Sequence, residues 1–261
     1  MLRTRVIPVL LLRGSGLYKT EKFRNPKYVG DPLNVIKIFN EKEVDEIVLL
    51  DIMATKEGRG PNFALIADMA SECFMPLAYG GGITSIEEIK ELFYLGVEKI
   101  VLNTSAVMNP ILIQEATKRF GSQSVVVSID YKNTLMRGNR VHIRSGTSVT
   151  KLTPTEHVLK VAGLGAGEII LNSISRDGTF RGYDIPFLKS VAEIVDIPVV
   201  ALGGAREIDD FRQAVSKAGV DAVAVGSMFV FQGPHRAVLI NVPERKIIED
   251  LLGSVGVHGD G

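Results

Sequence analysis

A chain of 261 residues, 46% hydrophobic and 23% charged, has the make-up of one globular α/β domain with a sizeable core. Its 30 basic and 30 acidic residues cancel, which excludes a nucleic-acid partner held by bulk charge but not local phosphate sites. The single cysteine, Cys73, cannot form an intrachain disulfide and suits a reducing cytoplasm. No apolar run approaches the roughly 18 residues of a membrane span. Arg3 and Arg5 break the apolar start and no cleavage signature follows, so a core strand is expected there.

That first strand reads from Met1 to Gly16, with Arg5, Ile7, Val9 and Leu11 on one face. Arg13 to Gly30, rich in glycine and lysine, reads as a loop too long for a plain strand-to-helix link. Asp31-Pro32 then opens a helix, Asp as N-cap and Pro at the first helical position. Further strands are expected at Glu46–Asp51, Met75–Tyr79, Lys99–Asn103, Val125–Asp130, Glu168–Ser173, Pro198–Leu202 and Ala222–Gly226. Helical patterns separate them, such as Ser85–Leu95, where Ser85 and Glu88 form a capping box. Eight strands alternating with helices predict a (β/α)₈ TIM barrel over residues 1–252. A doubly wound open sheet is the alternative, but no GxGxxG follows the first strand. Residues 253–261 show no apolar period and are expected to form a disordered tail.

An internal repeat sharpens this. DEIVLLDI at Asp45 aligns with GEIILNSI at Gly167, FMPLAYGGG at Phe74 with DIPVVALGG at Asp196, and GVEKIVLNTSAV at Gly96 with GVDAVAVGSMFV at Gly219. The spacing stays at about 122 residues, too long for a solenoid, and predicts two half-barrels, 1–121 and 122–252.

Barrels of this kind carry their chemistry at the C-terminal ends of the strands. The repeat predicts two phosphate cradles there, Gly81, Gly82, Asn103 and Thr104 in one half, Gly203, Gly204, Gly226 and Ser227 in the other. Glycine pairs often mark only a tight turn; two at matching positions point to a substrate with a phosphate at each end. Asp130, ending the fifth strand, is the expected general acid or base, a helix N-cap being the plainer alternative. Its half-barrel counterpart is Leu11, which cannot carry a proton. Asp51 can add polarity, and Asp177-Gly178 reads as a loop lining the second cradle. Lys19 closes over an anionic substrate or stays solvated. At the opposite face Arg5, Glu46, Lys99 and Glu168 begin strands and point inward; such charges must pair, and a closed ring of ion pairs is expected. Residues alone favour a plug sealing the floor over a gate. His142, His157, His235 and His258 show no metal-ligand spacing, and neither a Ser/His/Asp constellation nor a GxSxG elbow is present, so no metal and no cofactor are expected.

Several runs resemble the HisF cyclase subunit family of imidazole glycerol phosphate synthase: RVIP, GDP before the first helix, DEIVLLDI, YGGGI, NTSAV, GSQSVVVSID, GAGEIILNSISRDGT, GYD and LGGA, from Arg5 to about Phe231. The resemblance implies a barrel that takes ammonia from a HisH-like glutaminase docked on its N-terminal face. Ammonia then passes a gate matching Arg5, Glu46, Lys99 and Glu168, with Glu98 at a glutaminase contact. In the family the ammonia reacts with a bis-phosphorylated nucleotide to close an imidazole ring. This chain departs from the pattern at the mouth. Leu11 stands where the family has a catalytic aspartate, Val9 replaces a cysteine, Leu202 a serine, and Asn172 a hydroxyl residue. That combination is similar to HisF-like paralogues encoded with O-antigen and flagellin-sugar genes, which implies ammonia delivery to an ATP-dependent sugar amidotransferase. The alternatives are a working cyclase in which Asp51 or Asp177 substitutes, and a non-catalytic scaffold that binds the glutaminase and a phosphorylated small molecule.

Overall fold

The computed structural model describes residues 4–134 and 137–253. Eight parallel strands close on themselves: β1 (Arg5–Arg13), β2 (Ile47–Asp51), β3 (Leu77–Gly80), β4 (Lys99–Leu102), β5 (Val125–Thr134), β6 (Glu168–Ser173), β7 (Val199–Leu202) and β8 (Ala222–Val225). Each pairs with the next, and β1 closes the barrel on β8 with Arg5 opposite Ala222 and Pro8 opposite Val225. This is a (β/α)₈ barrel. Helices follow the strands, among them α1 (Pro32–Glu41), α2 (Phe63–Glu72) and α3 (Ile86–Tyr94). Their starts are written locally: the Asp31 side chain accepts from the Asn34 amide, and Ser85 with Glu88 closes a capping box.

Because side chains alternate along a strand, the sheet has two apolar faces. The outer one, including Leu10, Leu12, Leu49, Ile100 and Val127, packs under the helices. The inner one fills the barrel with Ile7, Val9, Val48, Ala78, Val101, Val126, Ile170, Val200, Ala222 and Ala224, and Leu11, Leu50 and Leu202 cap it at the C-terminal end. The strand parity thus places Arg5, Glu46, Lys99 and Glu168 at one end of the axis and Asp130 at the other.

Two segments differ from expectation. Residues 13–30 are not an open loop. They fold as a hairpin, Gly16–Glu21 against Arg24–Gly30, whose first strand also pairs back on β1 with Leu11 opposite Tyr18. A turn at Gly14, in the left-handed region at φ 61°, lets the chain reverse there. Beyond the barrel, β5 runs on into a second hairpin with Gly138–Ile143, placing His142 opposite Asp130. Gly253, expected as the first residue of the tail, instead ends the last helix, Arg245–Gly253, and the rest of the expected tail, 254–261, lies outside the described residues.

Candidate functional site

The floor forms from strand starts. Glu46, just before β2, is buried and accepts from Arg5 Nη1 at 2.6 Å and from Lys99 Nζ at 2.8 Å. Glu168, the first residue of β6, is also buried; it accepts from Lys99 Nζ at 3.2 Å and from Arg5 Nη2. Each charge therefore touches two of opposite sign, which is what makes four charges on a barrel axis tolerable. Burial works against the Arg5 cation, but Glu168 and Glu46 outweigh it and hold the guanidinium above its ordinary value. In the helix-to-strand connections at this end, Glu98 is exposed, as are the large apolar side chains of Phe74, at 85%, and Tyr94, at 84%.

At the other end the strand tips and loops enclose a cleft of about 1080 Å³, counting its open upper part. Asp130 lies in its wall on β5, which runs on through it to Thr134, so it caps no helix. Its Oδ1 accepts from Asn172 Nδ2 at 3.0 Å and its Oδ2 from Asn103 Nδ2 at 3.2 Å. Burial pushes this carboxyl up to about 7; Asn172 pulls it down, Asp177 pushes it further up, and Asn103 pulls it down. The apolar side chains that share the inner face with it at this end, Leu11, Leu50 and Leu202, offer it no proton partner.

The first glycine cradle is assembled in the cleft wall by Gly81, Gly82, Asn103 and Thr104. Gly81 has φ 125°, and a Cβ there would stand 2.5 Å from the Asp51 carbonyl oxygen, so only glycine fits. The second is split. Gly226, Ser227 and Asp177 line the cleft, whereas Gly178, Gly203 and Gly204 do not. A Cβ on Gly203 would meet Asn172 Oδ1 at 2.9 Å, and Gly204 accepts from the Gly182 amide at 2.8 Å. Asn172 Oδ1 is itself buried without a partner, an acceptor left open beside Asp130. Lys19 is buried, its Nζ donating to the Val9 carbonyl. Asp177 Oδ2 accepts from the Thr20 hydroxyl at 3.2 Å. Burial pushes the Asp177 carboxyl up to about 6, with Lys19 pulling the other way.

Asp51 has a different task. Its Oδ1 accepts from the Met53 and Ala54 amides at 2.9 and 3.0 Å, starting the short helix Ala54–Glu57, and Arg59 grips both oxygens at 2.8 and 3.2 Å. The sequence reading missed the roof of the cleft. The turn after Ile143 crosses the mouth: the Arg144 amide donates to Thr104 Oγ1 at 2.9 Å and Ser145 Oγ to the Ile52 carbonyl at 2.8 Å. Its signal was the run RSGT between two alternating stretches, a turn composition.

Residues 5–235 match the family model described as histidine biosynthesis protein. The chain belongs to this family. A Pseudomonas aeruginosa protein named "Putative imidazole glycerol phosphate synthase subunit hisF2" is 51% identical over 94% of this chain and 97% of its own length. A Leptospira interrogans protein, "Putative imidazole glycerol phosphate synthase subunit HisF", is 46% identical over 96% of this chain and 99% of its own. The imidazole glycerol phosphate synthase subunit HisF of Dictyoglomus turgidum is 41% identical over 88% and 91%. This HisF-family barrel holds, among the described residues, no cluster of three or more His, Cys, Asp or Glu suited to a metal and no helix long and apolar enough to cross a membrane.

Proposed function

We propose that this chain is the ammonia-conducting synthase subunit of a glutamine amidotransferase system, with its own cyclase chemistry weakened at Leu11. A HisH-like glutaminase docks on the N-terminal face, where Glu98, Phe74 and Tyr94 are exposed in helix-to-strand connections. Ammonia enters past Arg5, Glu46, Lys99 and Glu168. The apolar axis above them admits the neutral molecule and rejects ammonium, because an unpaired cation cannot be desolvated there. The mouth passes ammonia on to an ATP-dependent amidotransferase that amidinates a sugar for surface polysaccharide, while the cradles hold a phosphorylated small molecule.

The observation that supports this reading is the contrast along one axis: a complete four-charge floor beneath a mouth where the position matching Asp130 in the other half-barrel is Leu11, with Leu50 and Leu202 beside it on the inner face. Removing one of two acid/base groups lowers a rate by about 10²–10⁴-fold. The test is turnover of the family's bis-phosphorylated nucleotide with excess ammonium at alkaline pH. The native chain is expected about 10²-fold or more below an ordinary HisF subunit, and Leu11→Asp is expected to raise it. Turnover within tenfold of that subunit sinks the reading and leaves the chain a cyclase of histidine biosynthesis.

A further inference from the structure

A second cleft lies outside the barrel. Side chains alternate along β5 and β6, so Asp130 and Asn172 face the mouth while Tyr131 and its register partner Ser173 face outward. These outward groups, the second hairpin and the helix Ile185–Ala192 enclose about 740 Å³, counting the open side. The two clefts share no lining residue. Tyr131 and Phe187 form one wall of the outer one, their ring centroids 4.6 Å apart, and the cross-strand pair Asn133 and Asn139 stands on the hairpin side.

Two opposite charges line this cleft without pairing with each other. Asp184 occupies the N-cap position of the helix, yet its side chain caps nothing; its Oδ2 accepts from the Tyr131 hydroxyl at 3.2 Å. A capping aspartate stabilises its helix, so that contact is forgone and the carboxylate is presented to the cleft instead. Arg176 is held at one end only, its Nη1 donating to the Arg181 and Gly182 carbonyls, each at 3.1 Å. Among the described residues no hydrogen bond or ion pair engages the Nε–Nη2 edge of Arg176 or the Oδ1 of Asp184. Both charges bear on the Tyr131 phenol: burial and then Asp184 push it up, and Ser173 and Arg176 pull it down. The three groups therefore stand close together.

An inorganic anion here would meet Arg176 and be repelled by Asp184; a simple amine would meet Asp184 and be repelled by Arg176. A ligand with one charge of each sign engages both through charge-assisted hydrogen bonds and brings no net charge into the cleft. The open guanidinium edge is a two-donor fork that matches a carboxylate. We propose that this cleft binds a free α-amino acid, its α-carboxylate on the Nε–Nη2 edge of Arg176, its α-ammonium on Asp184, and its side chain along the wall of Tyr131 and Phe187. A ligand seated there lies on the turn that leads into the mouth: the Arg176 and Asp177 amides both donate to the Ser173 carbonyl, at 3.0 and 2.9 Å, and Asp177 is the next residue after Arg176.

The experiment titrates the common L-amino acids, one at a time, against the full chain with Tm as the readout. At about ten times its Kd, a binder should raise Tm by about 3–5 °C. For the best of them, the analogue lacking the carboxylate and the analogue lacking the α-amino group should each bind about tenfold or more weakly. Arg176→Lys keeps the charge and loses the fork; Asp184→Asn keeps an acceptor and loses the charge. Each should weaken binding by about tenfold or more. No rise in Tm with any amino acid at about 10 mM, a truncated analogue that binds as tightly as its parent, or binding that is unchanged in both variants overturns the proposal. The truncated analogues are tested on the native chain, so the outcome stands even if a variant folds poorly.

Discussion

At the floor, Arg5 and Lys99 alternate with Glu46 and Glu168, and each charge has two opposite neighbours within the ring. At the mouth, Asp130 has only two amides to lean on, and its carboxyl is pushed up to about 7 chiefly by burial. Both sites bury charge on one barrel axis, and they meet the desolvation cost differently. The floor keeps its charges by pairing them; the mouth lets a proton neutralise its acid. Pairing gives a fixed structure, whereas a half-protonated acid gives chemistry. Under the proposed function, that difference suits one end to admit ammonia and the other to hold a ligand.

The largest effect is expected at the floor. Glu46→Ala strips a shared acceptor from Arg5 and Lys99 and leaves two cations facing one carboxylate. Breaking a buried pair costs about 3–5 kcal/mol, and the partial exposure of both cations, 29% and 21%, lowers the expectation to about 2–4 kcal/mol in chemical denaturation. Glutamine-driven delivery of ammonia to the mouth should fall in the same variant while reaction with added ammonium does not. Unchanged delivery would make the ring a plug.

The mouth should respond in the opposite direction. Asp130 takes up its proton at about 7 in the folded chain and near its ordinary value when unfolded. The folded state therefore binds more protons between about pH 4 and 7, and stability falls as pH rises through that window. Asp130→Asn removes this loss. It also weakens two hydrogen bonds worth about 1 kcal/mol each, so a net gain of about 1–3 kcal/mol is expected at pH 8 and little at pH 4. Denaturant midpoints at the two pH values check it, and a pH-independent difference would mean that Asp130 is ionised throughout.

The floor was legible in the sequence because period-two alternation is local: once Arg5, Lys99 and Glu168 share faces with buried apolar residues, their meeting follows. Asp130 was legible for the same reason. Lys19 was named but its burial was not, since that depends on where β8 departs from β1 and on a hairpin whose second strand, Arg24–Gly30, is largely exposed and carries no apolar alternation. The second hairpin has no separate mark in the sequence because its pairing with β5 extends a barrel strand beyond the barrel. Asn103 and Asn172 had no local mark as holders of Asp130; each comes from a different strand end. Of the two glycine cradles the repeat matched, only one lines the cleft in full. Sequence symmetry records where turns are, and the loops packed over them decide which ones line the cleft.

Asp51 is the smallest and sharpest test of the contrast. It sits in the cleft wall like Asp130, yet it is treated as the floor treats its acids, held by Arg59 and two amides. Asp51→Asn keeps an Oδ1 acceptor for the Met53 and Ala54 amides at the start of the helix Ala54–Glu57. It loses the ion pair with Arg59, which is partly exposed and retains Glu57 at 2.7 Å. The expected cost is about 1 kcal/mol, seen as a lower Tm, with residual ammonium-dependent turnover within twofold of the native chain. Its oxygens are already engaged by two backbone amides and the Arg59 guanidinium. A tenfold fall in turnover without a matching fall in stability would show that Asp51 supplies the acid missing at Leu11, and the mouth would then be a complete catalytic site.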